Sequence, residues 1–213
     1  MARAGILLGL SLASLACGPV RADAPRFEFT PFIGYRMGGD FDASSTSTDT
    51  SSSADLDPDL SYGIDLGLYR DAHSFYEALY SRQEAGVDSN DPALANVKVN
   101  VEYFQVGGTA FFETESEHTV PFVSLTIGAT HLSPQQGAYD DETKFSGSFA
   151  GGVRVPFNDR VAATLGLRGY LTVVDSNSDI FCVSGSNGAT CLLKSSGSTF
   201  FQGEAQVGLT VRF

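Results

Sequence analysis

Four groups of residues in this chain carry side chains that could do chemistry. His131, Ser133 and Glu142 supply a base, a hydroxyl and a carboxylate, the set by which a serine is activated for acyl transfer. Their spacing is loose and Ser133 stands directly before Pro134 at a strand-to-loop corner, so a polar strand end is favoured over a nucleophile. Asp55, Asp57 and Asp59 are spaced as in calcium-binding loops, but Leu60 stands where the tight-turn glycine belongs and Leu66 where the closing glutamate belongs. Such a loop is thereby excluded, and neither a metal site nor a cofactor is expected. A solvated acidic face is the default there, with loose divalent-cation binding as the alternative. Cys182 and Cys191 lie in a stretch rich in Ser, Gly and Asn, with no further metal ligands nearby. In an exported chain they most simply form a disulfide that closes one loop.

The fourth group is the largest. Glu28, Arg36, Asp65, Glu77, Lys98, Glu102, Arg154, Arg168, Glu204 and Arg212 are five acids and five bases, all on the polar side of segments that alternate with period two. Turned into one interior they would pair as salt bridges or line a narrow water path. The elements that position them must be strands. From Leu60 to Tyr69, Leu60, Tyr62, Ile64, Leu66 and Leu68 face one way, and Ser61, Gly63, Asp65, Gly67 and Tyr69 the other. The same dyad returns in Val97, Val99, Val101 and Tyr103 against Lys98, Asn100 and Glu102, and in Val123, Leu125, Ile127 and Ala129 against Ser124, Thr126 and Gly128. It recurs from Val161 to Arg168 and, at greatest length, from Phe201 to Phe213. Weaker segments near 26–38, 74–84 and 144–156 complete a set of eight, with Pro31 marking a bulge in the first.

Connections between these segments alternate in length. Gaps near Arg70–His73, Glu113–His118 and Phe157–Asp159 are short, whereas Asp40–Asp59, Ala85–Asn96, Ser133–Thr143 and Asp175–Gly197 are long. An even number of antiparallel strands, with short turns at one rim and long loops at the other, is the build of an outer-membrane barrel. The first long loop is low-complexity and polar, so no fixed structure is expected in it. A soluble eight-stranded barrel would share the count with its faces reversed. Three features favour the membrane: Gly and Ser crowd the polar face, the polar faces balance in charge, and Phe27, Tyr62, Tyr103, Phe201 and Phe213 fall near strand ends on the apolar face, where interfacial girdles lie.

The remaining arithmetic agrees. Residues 1–22 read as a secretory signal peptide: Arg3, an apolar run, then Val20-Arg21-Ala22 before a cut, leaving 23–213 as a single barrel domain. Removing Arg3 and Arg21 from 13 basic residues leaves 11 against 25 acidic, a net charge of -14 that excludes nucleic-acid binding. After the leader no run of about 18 apolar residues occurs, so any crossing of a membrane uses strands.

The stretches VNVEYFQVGGTAFF, VPFVSLTIGATHLSP, FSGSFAGGVRVPFNDRVAATLGLRGYLTVVDSNSDIFC and FFQGEAQVGLTVRF resemble the small outer-membrane β-barrel domain proteins of Gram-negative bacteria, related in architecture to the OmpA transmembrane domain and to OmpW. The resemblance spans nearly the whole mature chain. It implies an all-β, eight-stranded, antiparallel up-and-down transmembrane β-barrel in the outer membrane, monomeric, amid outer-membrane lipids and lipopolysaccharide. It implies no agreed activity. The terminal strand ending in Phe213 looks like the signal read by the barrel-assembly machinery, to which periplasmic chaperones would deliver the chain. His131-Leu132-Ser133 with Glu142 is also similar to the His-x-Ser and Glu arrangement of lipid A deacylases, but the rest of the chain resembles the non-enzymatic family. The expectation is therefore a structural or surface-interacting barrel without catalytic activity; the alternatives are a narrow channel for small solutes or ions and, behind it, a lipid A-modifying hydrolase.

Overall fold

Strands that carry Leu, Val and Phe on one face and charges on the other satisfy their backbones in hydrocarbon only by closing on themselves. A computed structural model shows that closure. It describes residues 27–44, 51–89, 98–114, 118–135, 141–173, 179–185, 188–194 and 199–213, excepting the side chains of 40–44, 51–55, 87–89, 179–185 and 188–194. The proposed signal peptide and its cut after Ala22 lie outside the described residues.

Eight strands form the wall: β1 (Phe27–Gly38), β4 (Asp59–Asp71), β5 (Ser74–Ser89), β6 (Lys98–Phe111), β7 (Val120–Pro134), β8 (Glu142–Pro156), β9 (Val161–Val173) and β12 (Thr199–Arg212). All pair antiparallel, and β1 closes the ring by pairing β4 on one side and β12 on the other. Following cross-strand partners once around, from Gly38 through Gln202, Tyr170, Ser148, Thr126, Gly107, Glu77 and Gly67, returns to β1 at Glu28. That displacement of ten residues over eight strands corresponds to a tilt of about 40° and a lumen just wide enough for side chains to fill.

The outer face between the rims is apolar. Leu125 and Leu167 are each 69% exposed, and Ile33, Leu60, Val106 and Ile127 share their face of the wall. Water would not tolerate a closed belt of this kind, whereas lipid requires it. Exposed aromatics stand toward its edges, Phe27, Phe157 and Phe213 near the short turns and Tyr62, Phe145 and Phe201 near the long loops.

Above the belt the wall changes sense. In β6 the residues Val99, Val101 and Tyr103 point inward and are buried, while Lys98 is exposed and Glu102 lies partly exposed outside. The expected assignment of Lys98 and Glu102 to the lumen, and of Tyr103 to a lipid-facing girdle, is thus reversed. The cause is height: β5, β6 and β7 continue past the lipid, where the outer face meets water and the inner face becomes the dry one. Leu56, Ala85, Val99, Val101, Leu132 and Phe200 are buried there as an apolar cap.

Two further expectations are corrected. Pro31 makes no bulge: β1 keeps one register with β4 through Pro31↔Ile64, and its register with β12 is the same on both sides of Thr30 and Pro31. Nor is the first long connection structureless. β2 (Asp40–Ser44) pairs with β3 (Ser51–Leu56), and β3 continues onto β5 through Ala54↔Ser89, Asp55↔Asp88 and Leu56↔Val87. β5 outruns its neighbour β4 at this rim, and β3 takes up the backbone edge thus left. In the last connection β10 (Asp179–Gly185) and β11 (Gly188–Lys194) form a separate hairpin.

β1 ends at Gly38 and is followed by Gly39, with φ of 87° and 113°, a region closed to most L-residues. A Cβ on Gly39 would lie 2.7 Å from the Phe200 ring and 3.2 Å from Leu56, so this glycine lets the first hairpin sit down on the cap. Gly39→Ala should therefore destabilise the barrel by about 1–3 kcal/mol, the cost of holding a non-glycine residue in that backbone region. Urea unfolding of the barrel in lipid vesicles, followed by heat-dependent gel migration, checks this; an unchanged midpoint would show that the turn relaxes freely.

Candidate functional site

Among the described residues many ionisable side chains converge in the lumen, and they do so in layers. Nearest the short turns, Arg154 grips Glu28 with both terminal nitrogens, at 3.0 and 2.7 Å. Tyr69 donates its hydroxyl to the same carboxylate at 2.6 Å, and Arg212 approaches it at 3.9 Å. The Arg154 guanidinium also lies 4.5 Å from the centre of the Phe111 ring, a cation–π contact that suits its planar charge.

In the middle layer Arg168 donates to Glu77 at 2.7 Å and to Ser148 at 3.0 Å, with Asp65 3.9 Å away. Thr109 and Ser124 donate to the second oxygen of Glu77, which is thereby bound on both sides. Above it Arg36 donates from Nε to Glu204 at 2.8 Å and from a terminal nitrogen to Ser81. Tyr103 and Tyr170 stack at 4.1 Å, and the Arg36 guanidinium sits over both rings, 5.0 and 4.6 Å from their centres. Tyr103 donates to Gln202, Gln202 to Gln83, and Gln83 to the carbonyl of Arg36. The apolar cap closes over this layer.

Of the ten charged residues expected in the lumen, eight face it. Glu28, Arg36, Glu77, Arg154, Arg168 and Glu204 are buried, and Asp65 and Arg212 are partly so. Lys98 and Glu102 instead hold the outer wall above the lipid, Lys98 donating to Glu84 at 2.8 Å and Glu102 accepting from Tyr80 at 2.6 Å. Their inward places are taken by Glu142 and Lys144, 3.1 Å apart on the inner face of β8. Among the described residues the lumen then holds five acids and five bases. The neutral partners Tyr69, Tyr103, Tyr170, Gln83 and Gln202 were missed as participants. Parity alone would have found Tyr170, two residues beyond Arg168 on the same face.

The serine arrangement does not assemble. His131 and Ser133 lie on the outer face of β7, where His131 bonds Thr143 at 3.0 Å and Ser133 donates to Asp141 at 2.7 Å. Glu142 is on the opposite face of the wall, so no carboxylate at that position orients the imidazole. In the acidic segment Asp57 and Asp59 are exposed and Asp59 accepts a bond from the Leu60 amide; the Asp55 side chain lies outside the described residues. Among the described residues no group of His, Cys, Asp and Glu side chains could hold a metal ion. Cys182 and Cys191 are direct cross-strand partners in the backbone register of β10 and β11.

Residues 9–213 match the model of the outer membrane protein beta-barrel domain family. The chain belongs to that family. It is an outer-membrane β-barrel crossing the bilayer with strands, in a family that is generally non-catalytic. No curated protein matches it in sequence. Among solved structures, OprG from Pseudomonas aeruginosa is similar over 89% of this chain and 96% of its own, at 11% identity and a TM-score of 0.61. AlkL, determined in lipid bilayers, is similar over 97% of both chains at 8% identity and a TM-score of 0.60. Neisserial surface protein A covers 88% of this chain and 97% of its own at 17% identity, with a TM-score of 0.52. At these identities the likeness is one of fold.

Removing one partner of a buried pair leaves a charge stranded, whereas removing both leaves an apolar filling. Arg154→Met should cost this outer-membrane barrel about 3–5 kcal/mol, and the double change Arg154→Met with Glu28→Leu should recover most of that. Urea titration of the refolded variants in vesicles measures both; equal losses for single and double variants would show that the pair contributes beyond mutual neutralisation.

Proposed function

We propose that this barrel is a sealed structural and surface-interacting protein of the outer membrane, neither a channel nor an enzyme. The observation that carries the reading is the filling of the lumen: three buried Arg–Glu pairs, one in each successive layer, under an aromatic and apolar cap. Eight strands leave little room beside such side chains, and the charges are spent on one another rather than facing a water path. In this reading the charged lumen residues are a plug. The outer wall serves outer-membrane lipids and lipopolysaccharide, and the connections at the long-loop rim present the surface that other molecules meet.

Two further assignments accompany it. Phe213 is 71% exposed, and its backbone pairs with Phe27, N to O at 2.8 Å and O from N at 3.4 Å, so the terminal aromatic marks the seam between first and last strands. It is the residue we assign to recognition by the barrel-assembly machinery. Cys182 and Cys191 oppose each other in an antiparallel pair, and facing Cα atoms about 4.5–5.5 Å apart are within reach of a disulfide. A thiol–disulfide oxidant of the periplasm would take up two protons and two electrons, its own disulfide becoming two thiols, and so fix the register of that hairpin.

Planar-bilayer recording tests the main reading: the folded wild-type barrel should show no discrete steps, and steps altered by Arg168→Ala or Glu204→Ala would overturn it in favour of a pore. The cysteine assignment predicts an intact mass two hydrogens below the sum of the residues and no thiol reactive to alkylation after denaturation. Alkylation at both positions without reductant would sink it.

A further inference from the structure

Between the lowest and middle layers of the plug lies a cavity of about 20 Å³, walled by Asp65, Arg154, Arg168 and Gln206 and by the rings of Phe32 and Phe122. Its polar walls are incompletely bonded in a particular way. Asp65 Oδ1 and Gln206 Oε1 are buried acceptors without a hydrogen bond to protein, and Arg154 Nε and Arg168 Nε are buried donors without one. Arg154 and Arg168 are 4% and 3% exposed, so bulk water does not reach them. These are two acceptors and two N–H donors on side chains that line one small space.

We infer that this cavity is a binding site for an ordered water molecule that joins the two ion-pair layers. Water donates two hydrogen bonds and accepts two, which matches the count and the sense of the unmet groups. The volume suits one water and is too small for a file of them. A halide would accept from the two arginines but face the lone pairs of Asp65 Oδ1 and Gln206 Oε1; a metal cation would face two guanidinium groups. A dry void is the state of apolar cavities, and this one is polar on four sides. The water would accept from Arg154 and Arg168 and donate to Asp65 and Gln206, so that Glu28, Arg154, Arg168 and Glu77 become one connected network instead of two stacked pairs. The assignment stands apart from the sealed-lumen reading, since a silent barrel could be dry here and a leaky one wet.

A high-resolution crystal structure of the full barrel, grown with bromide in place of chloride, tests the site. The expected result is a single density peak within hydrogen-bond distance of Asp65 Oδ1 and Gln206 Oε1, without anomalous signal. An empty cavity, or an anomalous bromide peak, would overturn the inference. Gln206→Leu, with folding checked by heat-dependent migration, should lose the peak altogether; a peak undisturbed in that variant also overturns it. Should the variant fail to fold, the wild-type density alone decides.

Discussion

Closure of the wall follows from the absence of water on its outer side within the bilayer. In hydrocarbon a backbone N–H or C=O has no partner but another strand, so the sheet must close, and the bond ladder between β1 and β12 is the step that removes its last edge. Closure with eight strands and a displacement of ten residues then fixes the lumen's width. Eight strands enclose a lumen about as wide as its side chains can fill. Long side chains must occupy it, and the charged ones among them must neutralise each other.

The sense of the wall is not uniform along its height. Within lipid it is apolar outside and polar inside, as at Leu125 and Ser124. Above lipid it is polar outside and apolar inside, as at Glu102 and Val101. The projecting parts of β5, β6 and β7 are built like a soluble barrel, closed by Phe200 and Leu132 as a soluble core would be. One strand therefore serves two solvents, and the Arg36–Tyr103–Tyr170 stack lies where the two kinds of interior meet. A guanidinium on two aromatic faces suits that boundary, because it is charged toward Glu204 and flat and weakly hydrated toward the rings.

This explains which parts were legible in the sequence. Period two is visible from Leu60 to Tyr69 and from Phe201 to Phe213 because those segments lie largely in one solvent, and there the inward face was read correctly. Period two carries no absolute sign, however. At Lys98–Tyr103 the alternation is just as clean, yet polar now means outward, and nothing local to the segment announces the change. The charge balance follows from a similar constraint, that buried charges in a closed lumen must be paired; of the ten charges expected there, eight face it and Lys98 and Glu102 do not. The partners were not legible. Arg154 and Glu28 are 126 residues apart and meet through the stagger of the sheet, a property of the whole ring. The hairpin β2–β3 was hidden by its Ser-rich composition, because what recruits it is the length of β5.

A plug of ion pairs is a poor source of net stability, since an apolar filling of equal volume often does as well or better. Its value here lies in what it forbids. Arg36 stands directly opposite Glu204 across the β1–β12 seam, and Glu28 opposite Arg212. A slip of one residue at that seam would turn each of these charges toward lipid. A lipid-facing Arg costs from about 0–1 kcal/mol near the interfaces to about 2–4 kcal/mol at the midplane, and an acid less, so summed over the charges along the strand the penalty weighs against the wrong register. A lumen lined with Leu and Val would carry no such penalty and would leave strands of 12 to 16 residues apolar on both faces. Such strands could pair in many registers, and with one another, before reaching the membrane. The buried arginines therefore act chiefly on the alternatives to the fold, by making the correct closure the only one in which every charge has a partner.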